Sequence, residues 1–258
     1  MLGAVWAHLD SGEHVHITTL AERPQLAGAA FDAGEWPEFM RHNRVAEAFF
    51  WRTTEVFADI CLVATSADGT AVADAHAVRF AAGTAGRVQQ PPGGWEQVVV
   101  WAFDDTHRGV VADTAGALNI SVAATWQRRG LAGVMLRALR DAVRRSGVDT
   151  LVAPVRPPAK AREPGSGMAT YATEMRDDGL PRDPWLRTHA RAGGQFVGVA
   201  PASWLVAGSL AQWRAWTAMP FDCDGAIEVP GALVPVHCDI GADHAVYVEP
   251  NVWFRHDL

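Results

Sequence analysis

Midway along the chain stands the run Gln127-Arg128-Arg129-Gly130-Leu131-Ala132-Gly133, whose residue types suit the capture of an anion. If a helix starts at Leu131, its first backbone N–H groups are unpaired and its macrodipole places about half a positive charge there. Gly130 brings no Cβ to obstruct a phosphate, and the guanidiniums of Arg128 and Arg129 add charge. Gly133 is expected to allow tight packing of the helix on a strand.

Other chemistry-bearing residues point less far. His14 and His16 share a strand face without a third ligand nearby, so they read as exposed strand histidines. His237, Cys238, Asp239, Asp243 and His244 cluster in sequence but match no zinc spacing, and they read as a polar turn. No metal is expected. Cys61, Cys223 and Cys238 are odd in number and widely spaced, as reduced thiols are. The eleven tryptophans are assigned to core and pocket walls.

The elements that must position the anion loop are legible around it. Leu118, Ile120 and Val122 alternate with Asn119, Ser121 and Ala123, a period of two that predicts a half-buried strand. Leu131, Met135, Leu139 and Ala142 recur at helical spacing, with arginines on the opposite face, and Gly147 releases the helix. A second strand follows at Thr150–Val155. The spacing predicts a first strand over Glu13–Leu20, a short helix over Pro24–Phe31 and a longer one from Trp36 to Phe57. A hairpin is predicted from Ile60–Ala64 and Ala71–Phe80 around Asp68-Gly69. Ala81–Gly116 starts as a Gly/Pro-rich loop, after which Trp95, Val98, Val99, Ala102 and Phe103 have helical spacing. Arg156–Gly167 reads as a polar loop or flap through which its prolines forbid a helix. Pro184–Ala192 reads as a helix, and Ser209-Leu-Ala-Gln212 as a capping box opening another. Ala226–Leu258 reads as short strands, including Ala232–Cys238 and Ala245–Glu249.

The strand, loop and helix together resemble motif A of the GNAT superfamily of acyl-CoA-dependent N-acetyltransferases. Its Gln/Arg-x-x-Gly-x-Gly/Ala signature is filled by Gln127, Gly130 and Ala132, with Val122-Ala123 before it. The resemblance spans roughly Val15 to Ala200 and is specific over Leu118 to Val155. It implies an α/β fold: a mixed, twisted sheet of about seven strands flanked by helices, with Ala81–Gly116 as an insertion before the fourth strand and a C-terminal extension. We expect one domain over 1–258, with a core of about 13–200 and an extension of about 201–258.

The same resemblance implies transfer of an acetyl or other short acyl group from acetyl-CoA to an amine of a small molecule or peptide. Gln127, Arg128, Arg129, Gly130, Leu131, Ala132 and Gly133 would hold the pyrophosphate, and Ile120, Ser121 and Val122 the pantetheine, with a backbone donor for the thioester carbonyl. Thr188-His189 stands where the family's motif B has Leu-Tyr, so His189 takes the place of the customary tyrosine acid. Asn119 occupies the strand where a carboxylate base would be useful, and a water-mediated path is left open. Juxtaposing two bound reactants can supply about 7 kcal/mol or more. The rival reading is a non-catalytic acyl-CoA-binding regulatory module.

The net charge of −7 and scattered arginines speak against a nucleic-acid partner. No leader pattern and no apolar run near the roughly 18 residues of a span are found, so a cytoplasmic protein without a membrane partner is expected. A homodimer is left open. The preference for arginine over lysine, with Lys160 the one lysine, suggests a GC-rich bacterial genome.

Overall fold

A computed structural model describes residues 5–258 other than 10, 30 and 35. Its strands are β1 (Val5–His8), β2 (His14–Thr19), β3 (Leu62–Thr65), β4 (Ala71–Phe80), β5 (Thr114–Val122), β6 (Thr150–Val155), β7 (Gln195–Gly208), β8 (Gly225–Ile227), β9 (Val236–Asp239) and β10 (His244–Asp257). The α-helices are α1 (Arg44–Phe49), α2 (Thr53–Val56), α3 (Gly94–Arg108), α4 (Leu131–Arg145), α5 (Met168–Ala172), α6 (Pro184–Arg191) and α7 (Leu210–Thr217).

All ten strands form one mixed sheet in the order β1-β2-β3-β4-β5-β6-β10-β9-β8, with β7 on the other edge of β10. The pairing is antiparallel except between β5 and β6. The expectation of about seven strands therefore falls short. The extra strands are β1 at one margin and the β8–β9 pair at the other.

Amphipathic α4 buries Leu131, Met135, Leu139 and Val143 against the sheet and carries arginines outside. The opposite face is covered by α1, α2 and α3: Phe50 and Thr53 meet His76 of β4, and α3 closes on β5 at Gly116. A Cβ at Gly116 would stand 2.4 Å from Val98 Cγ1, so glycine is what permits this approach.

Three other expectations are corrected. The long helix over Trp36–Phe57 is broken into short pieces, starting with a 3₁₀ turn at Glu38–His42 and then α1, which Asn43 caps by accepting from Ala46 N. Pro24–Phe31 shows only a 3₁₀ turn over Pro24–Leu26, with residue 30 outside the described residues. The terminal segment holds the 14-residue β10, which passes Pro250 by an irregularity in its pairing between Glu249 and Asn251. The capping box at Ser209 and Gln212 is present, with both reciprocal bonds.

The 156–167 segment is not a free flap either. Pro158–Arg162 is a 3₁₀ turn whose Lys160 is fully buried, its ammonium donating to the carbonyls of Glu163 and Leu233, each at 2.9 Å. Among the described residues, no helix is long and apolar enough to cross a membrane.

Candidate active site

The sheet is split at one place. β5 and β6 pair only at Ala115↔Leu151 and Gly116↔Val152, and then β5 is deflected. Between His76↔Asn119 and Ala77↔Ala117 of the β4–β5 ladder, β5 carries one extra residue, Leu118. Such a bulge bends its strand. Residues 117–122 therefore have no β6 partner, and although Trp95 and Gln127 take the carbonyls of Leu118 and Val122, the amides facing that edge are open to an extended ligand that adds itself like a strand. Ile120, Ser121 and Val122 lie on this open half.

At the end of the split stands the anion loop. Arg128 (φ 62°) and Gly130 (φ 81°) both take left-handed conformations, which turn the chain sharply into α4. No side chain caps α4, and its first intrahelical bond runs from Val134 N to the Gly130 carbonyl at 3.2 Å. The amides of Leu131, Ala132 and Gly133 thus precede the ladder, as an anion site requires. Gln127 pins the loop: its Nε2 donates to the carbonyls of Val122 at 3.1 Å and Ala33 at 3.0 Å. The two arginines divide. Arg128 is exposed, whereas Arg129 is bound to Glu13 and lies over the Trp126 ring. Gly133 also differs from expectation. A Cβ there would meet only Arg137 Nη1, at 3.7 Å, so this glycine is not a packing requirement and leaves the first turn uncovered.

Two polar constellations border the split. On the face under α1 and α2, Asn119 Nδ2 donates to Asp74 Oδ1 at 2.9 Å and to Ser121 Oγ at 3.0 Å. His76 Nε2 stands 3.7 Å from Asp74 Oδ2. Thr53 Oγ1 donates to the Phe50 carbonyl at 2.7 Å and so accepts from His76 Nδ1 at 3.0 Å. Burial opposes a charge on His76, but the Asp74 carboxylate facing its Nε2, and then Cys61, outweigh it and push the pKa up to about 10.

The second constellation joins the bulge to the end of β6. Trp95 Nε1 donates to the Leu118 carbonyl at 2.9 Å, Trp95 packs edge-on against Trp204, and Trp204 stacks with Trp36. Arg156 lies over Trp36. Behind this wall runs a buried hydrogen-bonded chain: Trp95 N to Ser203 Oγ, Ser203 Oγ to Asn251 Oδ1, Asn251 Nδ2 to Glu249 Oε1, and Arg156 Nε to both Glu249 oxygens. Sequence reasoning missed these residues because the partners are far apart along the chain. The only local cue was their shared polar character within apolar strands.

His189 is placed elsewhere. It is 3 % exposed, its Nδ1 lies 3.0 Å from His256 Nε2, and Trp185 and Phe254 enclose the ring. His256 is opposite Leu151, at the end where β5 and β6 remain paired. Burial first, then the adjacent His256, pushes the His189 pKa down to about 3. At neutral pH it has no imidazolium proton to give a thiolate. Neither tyrosine is free to replace it: Tyr171 donates to Asp183 at 2.9 Å and Tyr247 to Glu249 at 2.6 Å. In the proposed polar turn, Cys238 faces the core while His237 and Asp239 face out. Among the described residues no three His, Cys, Asp or Glu side chains are gathered as a metal site needs.

No protein-family model matches the chain. An arginine N-acetyltransferase of Aspergillus versicolor, AvaD, is 30% identical over 278 aligned residues, covering 94% of this chain and 93% of that protein. The loading GNATL domain of CurA from Lyngbya majuscula shares the fold, with a TM-score of 0.58 at 15% identity over 94% of this chain and 97% of that one. The GNAT-like decarboxylase GphF, solved with isobutyryl-CoA, gives 0.53 at 18% identity over 94% and 98%. The fold is thus that of the GNAT acyltransferases, and the chain belongs to the GNAT superfamily. It is an N-acetyltransferase, moving a short acyl group from acyl-CoA to an amine.

Proposed function

We propose that the donor is acetyl-CoA and that the acceptor is arginine or a closely similar free cationic amino acid, acylated on its α-amine. The observation that carries this reading is the likeness to an arginine N-acetyltransferase along nearly the whole of both chains. The net charge of −7 favours a cationic acceptor over an anionic one. The guanidinium stays protonated at any working pH and is no nucleophile, which leaves the α-amine.

In this reading the amides of residues 127–133, with Arg128, hold the pyrophosphate, and the open edge at Ile120, Ser121 and Val122 holds the pantetheine. The amine nitrogen attacks the thioester carbonyl, whose developing oxyanion needs a backbone donor on the same edge. The C–N bond forms as the C–S bond breaks, the amine gives up a proton, and the CoA thiolate takes one. We place the proton's exit at water held by Ser121, Asn119 and Asp74, since Asp74 is a partly exposed carboxylate beside the open half of β5.

Release of CoA thiol from acetyl-CoA, followed across a panel of amino acids, polyamines, aminoglycosides and simple amines, tests the proposal. Arginine should head the panel by kcat/KM, and the product should carry one acetyl group on the α-nitrogen. A polyamine or an aminoglycoside at the head would replace the acceptor and leave the acyl-transfer class standing.

A further inference from the structure

We infer that the wall formed by Trp95, Trp204, Trp36 and Arg156 reads the carboxylate of the acceptor, so that the enzyme selects amino acids over the corresponding decarboxylated or amidated amines. The inference rests on the arginine reading above and narrows it.

The wall is in the right place. One end is fixed to the split, where Trp95 Nε1 holds the carbonyl of the bulged Leu118. Its other end, Arg156, follows Val155 directly at the end of β6. It therefore spans the mouth between the two strands that part, on the face away from α4. An acceptor whose amine reaches the thioester must pass it, and in an α-amino acid the carboxylate is only one carbon removed from that amine.

Its donors are held in position and are not all used. Arg156 is 17% exposed at the side chain, and Glu249, its partner, is 1% exposed. Nε binds both Glu249 oxygens and Nη2 donates to the Gly231 carbonyl at 2.7 Å. Tyr247 and Asn251 also donate to Glu249, so this carboxylate is locked and in turn locks the guanidinium. Nη1 has no hydrogen-bond partner among the described residues. Glu249 is directly opposite Trp204 in the β7–β10 ladder, and cross-strand neighbours project on the same face about 5 Å apart. Among the described residues, Trp204 Nε1 is buried without a partner. A buried N–H left unpaired is costly unless something completes it. Two unmatched donors, one cationic, on one wall suit an anionic oxygen ligand. A carboxylate has two such oxygens.

The alternative is that Arg156 serves only to neutralise Glu249 inside the fold. That role would use Nε and Nη2 alone and would not touch the choice of acceptor.

Initial rates of thiol release with acetyl-CoA, measured for arginine, arginine amide and agmatine, separate the two. A site built to bond a charged group rejects the analogue lacking it, so kcat/KM for arginine should exceed that for either analogue by on the order of a hundredfold. Trp204→Phe keeps an aromatic ring and removes the N–H. Arg156→Lys keeps a cation for Glu249 and removes the fork. Each should raise KM for arginine with little change in kcat and shrink the arginine-to-agmatine ratio about tenfold, in a protein that still melts cooperatively. Equal use of agmatine or arginine amide by the unaltered enzyme would overturn the inference while sparing acyl transfer to a cationic amine. An unchanged arginine-to-agmatine ratio in both variants would also overturn it. Acetylation of none of the three would overturn both this inference and the arginine reading.

Discussion

Gly133→Asp sets fold stability against cofactor binding, because the same side chain should improve one and impair the other. Gly133 is the third residue of α4, with Gly130 at the cap. A Cβ there meets nothing closer than Arg137 Nη1 at 3.7 Å. Replacing a helical glycine, adding an acid to an uncapped first turn, and creating an acid-to-arginine pair one turn apart should together stabilise the fold by about 1 kcal/mol. In a protein of this size that raises Tm by roughly 2–4 °C. The carboxylate would also stand about 6 Å from a pyrophosphate bound at the amides. At effective dielectric constants of about 20–80 each charge pair then costs roughly 0.7–2.8 kcal/mol. For one such pair the CoA Kd should rise at least about threefold and up to about a hundredfold. Gly133→Ala is the control, raising Tm without adding charge. Scanning calorimetry reads the first quantity and titration calorimetry with CoA the second. A Gly133→Asp protein that binds CoA as the parent does would remove the phosphate from this helix.

The other expectations are as specific. His189→Ala should destabilise the fold by about 2–4 kcal/mol, through a cavity and an orphaned His256. Turnover per folded molecule, from steady-state rates, should stay within about threefold of the parent, and a hundredfold loss would restore the acid role. Burial first, then the neighbouring His256 and Arg140 respectively, depresses the pKa of His189 to about 3 and of His256 to about 4. The unfolded chain therefore binds protons first as pH falls below 6.5. Stability is full well above that pH and is lost as pH falls through about 4 to about 3, on the order of a few kcal/mol, which urea unfolding against pH would register. Asp74→Asn should lower kcat on the order of a hundredfold with CoA affinity intact. An unaltered kcat would move the proton route elsewhere. A chain ending at Pro201 loses β10, the partner of β6, β7 and β9, and should lack cooperative unfolding in calorimetry. A sharp transition would mark a separable core.

What the sequence disclosed was local. The strand, loop and helix from Leu118 to Arg145 are written in short periods, and they fold as those periods dictate. The extra residue at Leu118 is invisible in the alternation, because a bulge is defined only by the partner strand. Pro250 divides the apolar pattern of the last strand, yet β10 continues through it because an irregular pairing on the β7 side absorbs the missing donor. The motif B resemblance gives His189 the place of an acid, in a segment that also carries Arg182, Arg187 and Arg191. Arg182 and Arg187 do engage surface partners, but the helical turn points His189 inward to a second histidine 67 residues away. Arg156, Glu249, Ser203 and Trp95 form a network only because four distant segments converge, and no spacing rule encodes that. The Asp74–His76 pair was readable as alternation on a strand, but its position beside Asn119 depended on register.

Residue-resolved amide hydrogen exchange, with and without saturating CoA, tests most directly whether the split sheet and the uncapped helix together hold the co-substrate. The amides of Leu131, Ala132 and Gly133, together with those along the open edge at residues 118–122, should slow on binding, while the His189–Gly193 turn should exchange as before. If calorimetry shows CoA bound and those amides still exchange at their unliganded rates, or if CoA does not bind, this site is contradicted.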